Sequence, residues 1–136
     1  MKLNTIKDIE IIDFPVVEDS RGNLAIVEKQ VLPYEFKRVY YLYDVPSTSY
    51  RGGHSHKQQH ETLVAISGSF EVVLNDGTQE QSYFLNKPNK GLHIKPGIWR
   101  ELKNFSSGAV CLVLSSDVYL EEDYIRDFNE FLKSRK

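Results

Sequence analysis

Three of the four histidines fall in one stretch, Arg51-Gly52-Gly53-His54-Ser55-His56-Lys57-Gln58-Gln59-His60-Glu61. Side chains alternate across an extended strand, so His54 and His56 point to one face. His60 keeps the same parity, and Glu61 joins them only if the chain bends. A neutral imidazole is the natural base near pH 7. A cation beside it disfavours its protonation and stabilises a developing enolate. Arg38, Arg51 and Arg21 can grip phosphate oxygens bidentately. Tyr40, Tyr41 and Tyr43 offer phenols for proton transfer, although alternate tyrosines on a strand also pack in a core or coat a surface. A nucleotide sugar with an acidic carbon beside a ketone suits this inventory.

The elements that must position these residues are short strands. Ile9 to Phe14, Asn23 to Glu28, Arg38 to Asp44, Glu61 to Ser67, Ser69 to Asn75, Glu80 to Leu85, Gly91 to Lys95 and Ala109 to Ser115 are rich in Val, Ile, Tyr and Phe. Each is bounded by Gly, Pro, Asn, Asp or Ser, which marks strands. Asn75-Asp76-Gly77 reads as a tight hairpin between two of them. Many short strands at near-regular spacing predict a sandwich or a barrel. From Glu121 to Lys133, Tyr124, Ile125, Phe128, Phe131 and Leu132 recur at helical spacing, which predicts an amphipathic C-terminal helix.

Composition narrows the classes further. At 136 residues, 40% hydrophobic and 26% charged, the chain is one globular domain. A formal net charge of -2 leaves no broad basic surface, so no nucleic-acid partner is expected. The longest apolar runs, Ala109 to Leu114 and Leu63 to Ile66, are too short to span a bilayer, so no membrane partner is expected. Met1 to Glu10 carries no basic segment leading into an apolar one, and the single Cys111 sits in an apolar run where a buried, inert thiol is expected. A cytoplasmic location is the expectation.

His54-x-His56, four residues, Glu61, six residues and Gly68 together resemble the first motif of the cupin barrels, whose His, His and Glu face the barrel interior. A metal-binding cupin takes its last ligand from a second motif, Gly-x-x-His-x-x-x-Asn. The matching stretch here is Gly97-Ile98-Trp99-Arg100-Glu101-Leu102-Lys103-Asn104, with Arg100 in the ligand's place. A guanidinium offers no lone pair and repels a neighbouring cation, so neither a metal nor another cofactor is expected. The resemblance implies an all-β cupin (double-stranded β-helix, or jelly roll) over residues 1–136, closed by a short C-terminal helix over about 121–133.

Asp19-Ser20-Arg21-Gly22 and Arg51-Gly52-Gly53-His54 resemble the metal-free epimerases of the rhamnose pathway. A closer similarity is to the dTDP-4-keto-6-deoxyglucose 3,4-ketoisomerase family, the WxcM-like cupins. It rests on Lys37-Arg38-Val39-Tyr40-Tyr41, Arg51-Gly52-Gly53-His54-Ser55-His56-Lys57, Trp99-Arg100-Glu101, Ser115-Ser116-Asp117 and Asp123-Tyr124-Ile125-Arg126. The resemblance implies a dTDP-linked 4-keto-6-deoxyhexose as substrate and its 3-keto isomer as product. That product leads toward a 3-amino-3,6-dideoxy sugar. It implies that His54 removes the C3 proton to give an enediol, with Tyr40, His56 or a water returning one at C4. Arg51, Arg21 and Arg38 would bind the substrate, and Arg100 would favour the gluco over the galacto product, with Arg21 as a second influence. A homodimer is implied by the same analogy. A 3,5-epimerase and a non-catalytic sugar-binding cupin are the alternative readings.

Overall fold

The computed structural model describes residues 3–136. Twelve strands and one short helix follow one another as β1 (Glu10–Asp13), β2 (Val16–Asp19), β3 (Gly22–Ala25), β4 (Arg38–Leu42), β5 (Arg51–His56), β6 (Glu61–Ser67), β7 (Phe70–Asn75), β8 (Glu80–Leu85), β9 (Lys90–Ile94), β10 (Trp99–Lys103), β11 (Val110–Ser115), β12 (Tyr124–Ile125) and α1 (Phe128–Ser134). All strand pairing is antiparallel. One sheet runs β1-β9-β6-β11-β4 and the other β12-β5-β10-β7-β8, while β2 and β3 pair only with each other. The all-β expectation holds.

The two five-stranded sheets face each other across one apolar layer. Leu63, Ala65, Leu92, Ile94, Cys111 and Val113 of the first sheet meet Phe70, Val72, Leu74, Leu85 and Leu102 of the second. Burial of such side chains is the main stabilising term, at about 25 cal/mol per Å² of apolar surface. The back of the first sheet is covered too: Val64 and Leu114 pack under Phe14, Leu32, Tyr34 and Phe36. Because β6 is covered on both faces, its sequence reads Thr-Leu-Val-Ala without polar alternation. Gly91 makes this second layer possible, since a Cβ there would lie 2.5 Å from Thr62 Cγ2 and 2.7 Å from Phe14 Cζ. Cys111 is fully buried, and burial raises its thiol far above the ordinary range, so it is inert as expected.

The Asn75-Asp76-Gly77 turn joins β7 to β8 with Gly77 at φ +93°. Asp76 accepts from the Thr78 and Gln79 N–H groups and from Ile6 N, which pins the N-terminal segment across the turn. The C-terminal expectation needs correction. The helix spans Phe128–Ser134, capped by Asp127, whose carboxylate accepts from Glu130 N. Tyr124 and Ile125 are not helical. They form β12, pairing with His56 and Ser55 on the edge of the second sheet. An open strand edge offers unpaired N–H and C=O groups, and satisfying them outweighs a helical turn for two aromatic or β-branched residues. Phe131 is fully buried and packs with Phe128 on Trp99, so the apolar face that suggested the helix is real but shorter.

Candidate active site

A cavity of about 390 Å³ opens between the two sheets. One wall carries Arg38, Tyr40 and Leu42 of β4 with Glu61 and Leu63 of β6. The facing wall carries Arg51, Gly53 and His54 of β5 with Arg100 and Leu102 of β10. Strand alternation decides which β4 residues enter: Arg38, Tyr40 and Leu42 face in, while Val39 and Tyr41 point outward and are exposed. Of these three tyrosines Tyr40 faces the cavity, since Tyr43 lies on the outer face with Tyr41, the rings 6.0 Å apart. The tail closes one side with Tyr119, Tyr124 and Arg126.

At the base of the cavity the titratable groups interlock. Glu61, 1% exposed, accepts from Arg100 Nη1 at 2.7 Å on Oε1 and from Tyr40 Oη at 3.0 Å on Oε2, with Ser115 Oγ donating to the same oxygen. Burial alone would raise the Glu61 carboxyl. The His56 imidazole beside Oε1 and the Arg100 charge outweigh it and hold the group well below the carboxylate range. The Tyr40 phenol goes the other way, raised first by burial and then by the Glu61 charge, so it keeps its proton at neutral pH. His54 is pushed down to about 2, chiefly by burial, then by the charge of Arg100 and by His56. Its imidazole is therefore neutral and has a lone pair to offer.

Arg100 carries its charge inside the fold, at 1% exposure, and its Nε and Nη2 are buried with no partner among the described residues. Such orphan donors beside a cavity suit a ligand oxygen. Arg38 is held by Gln59 Oε1 and Ser115 Oγ, lies over the Tyr40 ring, and likewise keeps an unpartnered Nε.

Of the expected site residues, Arg38, Tyr40, Arg51, His54 and Arg100 meet at this cavity. His56 is fully buried behind His54, its Nε2 3.1 Å from the His54 Nε2. Arg21 is not brought here. Its segment is the turn of the β2–β3 hairpin, and its side chain is 88% exposed and paired with Asp19. His60 leaves the group because the chain bends between β5 and β6, and it bonds His93 at 2.9 Å instead. The same bend brings Glu61 in. Arg100 pairs with Glu61 at the cavity floor. Sequence reasoning passed over Asp123 and the pocket tyrosines Tyr119 and Tyr124. The motif Asp123-Tyr124-Ile125-Arg126 was the available signal.

His54, His56 and Glu61 could in principle offer a cation three donor atoms, all within 4.8 Å of one another. The set does not fit one. The Arg100 guanidinium sits 2.7 Å from the Glu61 oxygen such an ion would need, so like charges would share a buried carboxylate.

The family described as FdtA, WxcM-like, C-terminal matches residues 7–136. The chain belongs to the WxcM-like 3,4-ketoisomerase family. It is 43% identical over 125 residues to the TDP-4-oxo-6-deoxy-alpha-D-glucose-3,4-oxoisomerase of Aneurinibacillus thermoaerophilus, covering 91% of this chain and 90% of that one. A 3,4-ketoisomerase structure from Helicobacter canadensis is 46% identical, with a TM-score of 0.91 over 94% of this chain and 97% of the other. A mutant of the 3,4-ketoisomerase QdtA from Thermoanaerobacterium thermosaccharolyticum, in complex with TDP-4-keto-6-deoxyglucose, is 37% identical. Its TM-score is 0.93 over 96% of this chain and 95% of that one. The cupin-type sandwich is thus the family's architecture, and the cavity lies inside the matched region. Among the described residues no helix is long and apolar enough to cross a membrane.

Proposed function

We propose that the chain converts dTDP-4-keto-6-deoxyglucose to dTDP-3-keto-6-deoxyglucose by metal-independent acid–base catalysis through an enediol. The observation that carries this reading is a neutral imidazole beside a buried guanidinium with unspent donors, in one cavity. The C3–H bond breaks and His54 takes the proton. The electron pair forms the C3–C4 double bond, and the negative charge moves to O4, where Arg100 stabilises it. The O3 proton then passes to O4, the C3 ketone forms as the C3–C4 electron pair moves to C4, C4 takes a proton from the facing wall, and His54 returns its proton to solvent. Arg38 and Arg51 at the cavity edge suit the diphosphate.

Glucose stereochemistry places H3 and H4 on opposite faces of the ring, so a gluco product needs removal and delivery from opposite sides. His54 stands on the β5 wall and the Tyr40 phenol on the β4 wall, which supplies that arrangement. Arg100 pairs in register with His54 on the His54 wall, and a guanidinium is a poor proton donor. Product made in ordinary water should show the large H4–H5 coupling of the glucose configuration, and product made in deuterated buffer should carry deuterium at C4. Arg100→His puts a group that donates near pH 7 on the same side as the base, so its product should shift toward galacto. A galacto product from the unmutated enzyme would overturn the two-wall assignment. A ketone still at C4 would indicate a 3,5-epimerase, and tight binding without exchange a non-catalytic cupin.

Protein dialysed against a chelator should keep its activity. Loss of activity, restored by a divalent ion, would refute the acid–base reading. The same proposal takes residues 1–136 as one cupin domain working in the cytoplasm as a homodimer. The β2–β3 hairpin supports the dimer: Val17 and Leu24 are 54% and 57% exposed on a ribbon that pairs with no other strand. Seated on a second copy, it would carry Arg21 toward the other subunit's substrate. Sedimentation should give a dimer that Leu24→Asp weakens. A parent protein sedimenting as a monomer would count against the dimer.

A further inference from the structure

Behind His54 a line of buried groups runs away from the cavity. His54 Nε2 lies 3.1 Å from His56 Nε2, and the two rings meet edge to face. His56 Nδ1 lies 2.9 Å from Asp123 Oδ2. Asp123 is 7% exposed and accepts the Gln58 N–H on Oδ1 at 2.8 Å and the Gln59 N–H on Oδ2 at 3.2 Å. The bend that ends β5 therefore clamps this carboxylate in place. Tyr124, the next residue, covers both imidazoles, its ring centroid 4.9 Å from that of His54 and 4.5 Å from that of His56. Substrate binding requires none of this, because neither Asp123 nor His56 lines the cavity.

A carboxylate only accepts, so His56 Nδ1 carries the hydrogen between them. With that as the one hydrogen on His56, its Nε2 lone pair faces His54, and the hydrogen between the two Nε2 atoms belongs to His54. His54 Nδ1 is left unprotonated, since the hydrogen bond His54 makes among the described residues is through Nε2, and His54 lines the cavity. We propose that Asp123 is a positioning residue for the isomerisation. Acting through His56, it fixes the His54 tautomer that presents a bare Nδ1 to the sugar C3. It also supplies the negative charge that accompanies the arriving proton. That charge matters because Arg100, needed for the O4 charge, opposes any positive charge on His54. When the C3–H bond breaks, the proton goes to Nδ1 and the electron pair into the enediolate. The resulting imidazolium is offset along the His56–Asp123 line with no further bond broken. The competing arrangement is a doubly protonated His56, drawn by Glu61 Oε1 at 3.4 Å from its Nε2, which forces the His54 hydrogen onto Nδ1.

This inference rests on the ketoisomerase reading, and the experiment separates the two. Nitrogen-15 spectra of the unmutated protein near neutral pH should show hydrogen on His56 Nδ1 and His54 Nε2. Hydrogen on His54 Nδ1 overturns the proposal without any variant having to fold. In Asp123→Asn the amide can turn its NH₂ to His56 and reverse both tautomers, so kcat should fall ~10²-fold with KM within about three-fold. A parent-like kcat in a folded Asp123→Asn protein overturns it. In the His56→Asn background, adding Asp123→Asn should lower kcat by less than about three-fold, whereas a full second loss shows that Asp123 does not act through His56. If the parent makes no 3-keto product, the ketoisomerase reading fails, while the nitrogen spectra still decide the tautomers.

Discussion

His54→Asn is expected to lower kcat by ~10²–10⁴-fold while leaving KM within a few-fold. The substitution keeps the size of the side chain and can still donate to His56 Nε2, so the buried line behind it stays filled. The loss is the ring nitrogen proposed to take the C3 proton. Arg38, Arg51 and Arg100 remain to hold the substrate, which is why binding should survive. Deuterium entry at C3 of the recovered substrate should vanish together with turnover. A folded variant that retains activity within a few-fold of the parent would remove His54 from the mechanism.

Glu61→Gln should destabilise the fold by about 3–5 kcal/mol, the range for breaking one partner out of a buried ion pair. Shape is not the difficulty, since the amide oxygen can keep Arg100 and the Tyr40 and Ser115 hydroxyls can turn to accept from the NH₂. The charge is what disappears, leaving Arg100 at 1% exposure without a counter-ion and Arg38 3.6 Å from a neutral group. Urea unfolding at pH 7 would measure the difference. Its pH dependence has a definite sign. The Glu61 carboxyl is depressed in the folded protein, so below the ordinary glutamate value of about 4.3 the unfolded chain binds the extra proton. Stability from this group is fully present above that value and is lost as pH falls toward the folded one. The gap between parent and variant should therefore narrow in acid, and a gap that widens would contradict the buried-pair account.

The legible part of the site was the part whose geometry is local. His54 and His56 share a strand face because strands alternate, and the same rule places Arg38 and Tyr40 together. Arg51 and Arg100 followed from motif position. Glu61 was legible beside the histidines only through the cupin motif, because strand parity leaves it out until the bend between β5 and β6 turns it inward. Arg21 looked similar to Arg51 in sequence. Nothing in its composition shows that its hairpin pairs with no other strand among the described residues. Asp123 lies 67 residues from His56, and the aromatic spacing around it fits a helix as well as an edge strand. Pairing with β5 decided between them, and that is a tertiary contact no local period reports.

The two-sheet arrangement of the cavity has a mechanical meaning. Tyr40 and Glu61 ride on one sheet, His54 and Arg100 on the other. Leu63, Leu102 and Val113 belong both to the layer that separates the sheets and to the lining of the cavity. Protein interiors are close-packed and resist compression, so these side chains act as the spacer of a caliper whose jaws carry Tyr40 and His54. A misplacement of about 1 Å at reacting groups can cost 10²-fold in rate. Methyl groups that never touch a proton thus set the gap across which the proposed transfer would run.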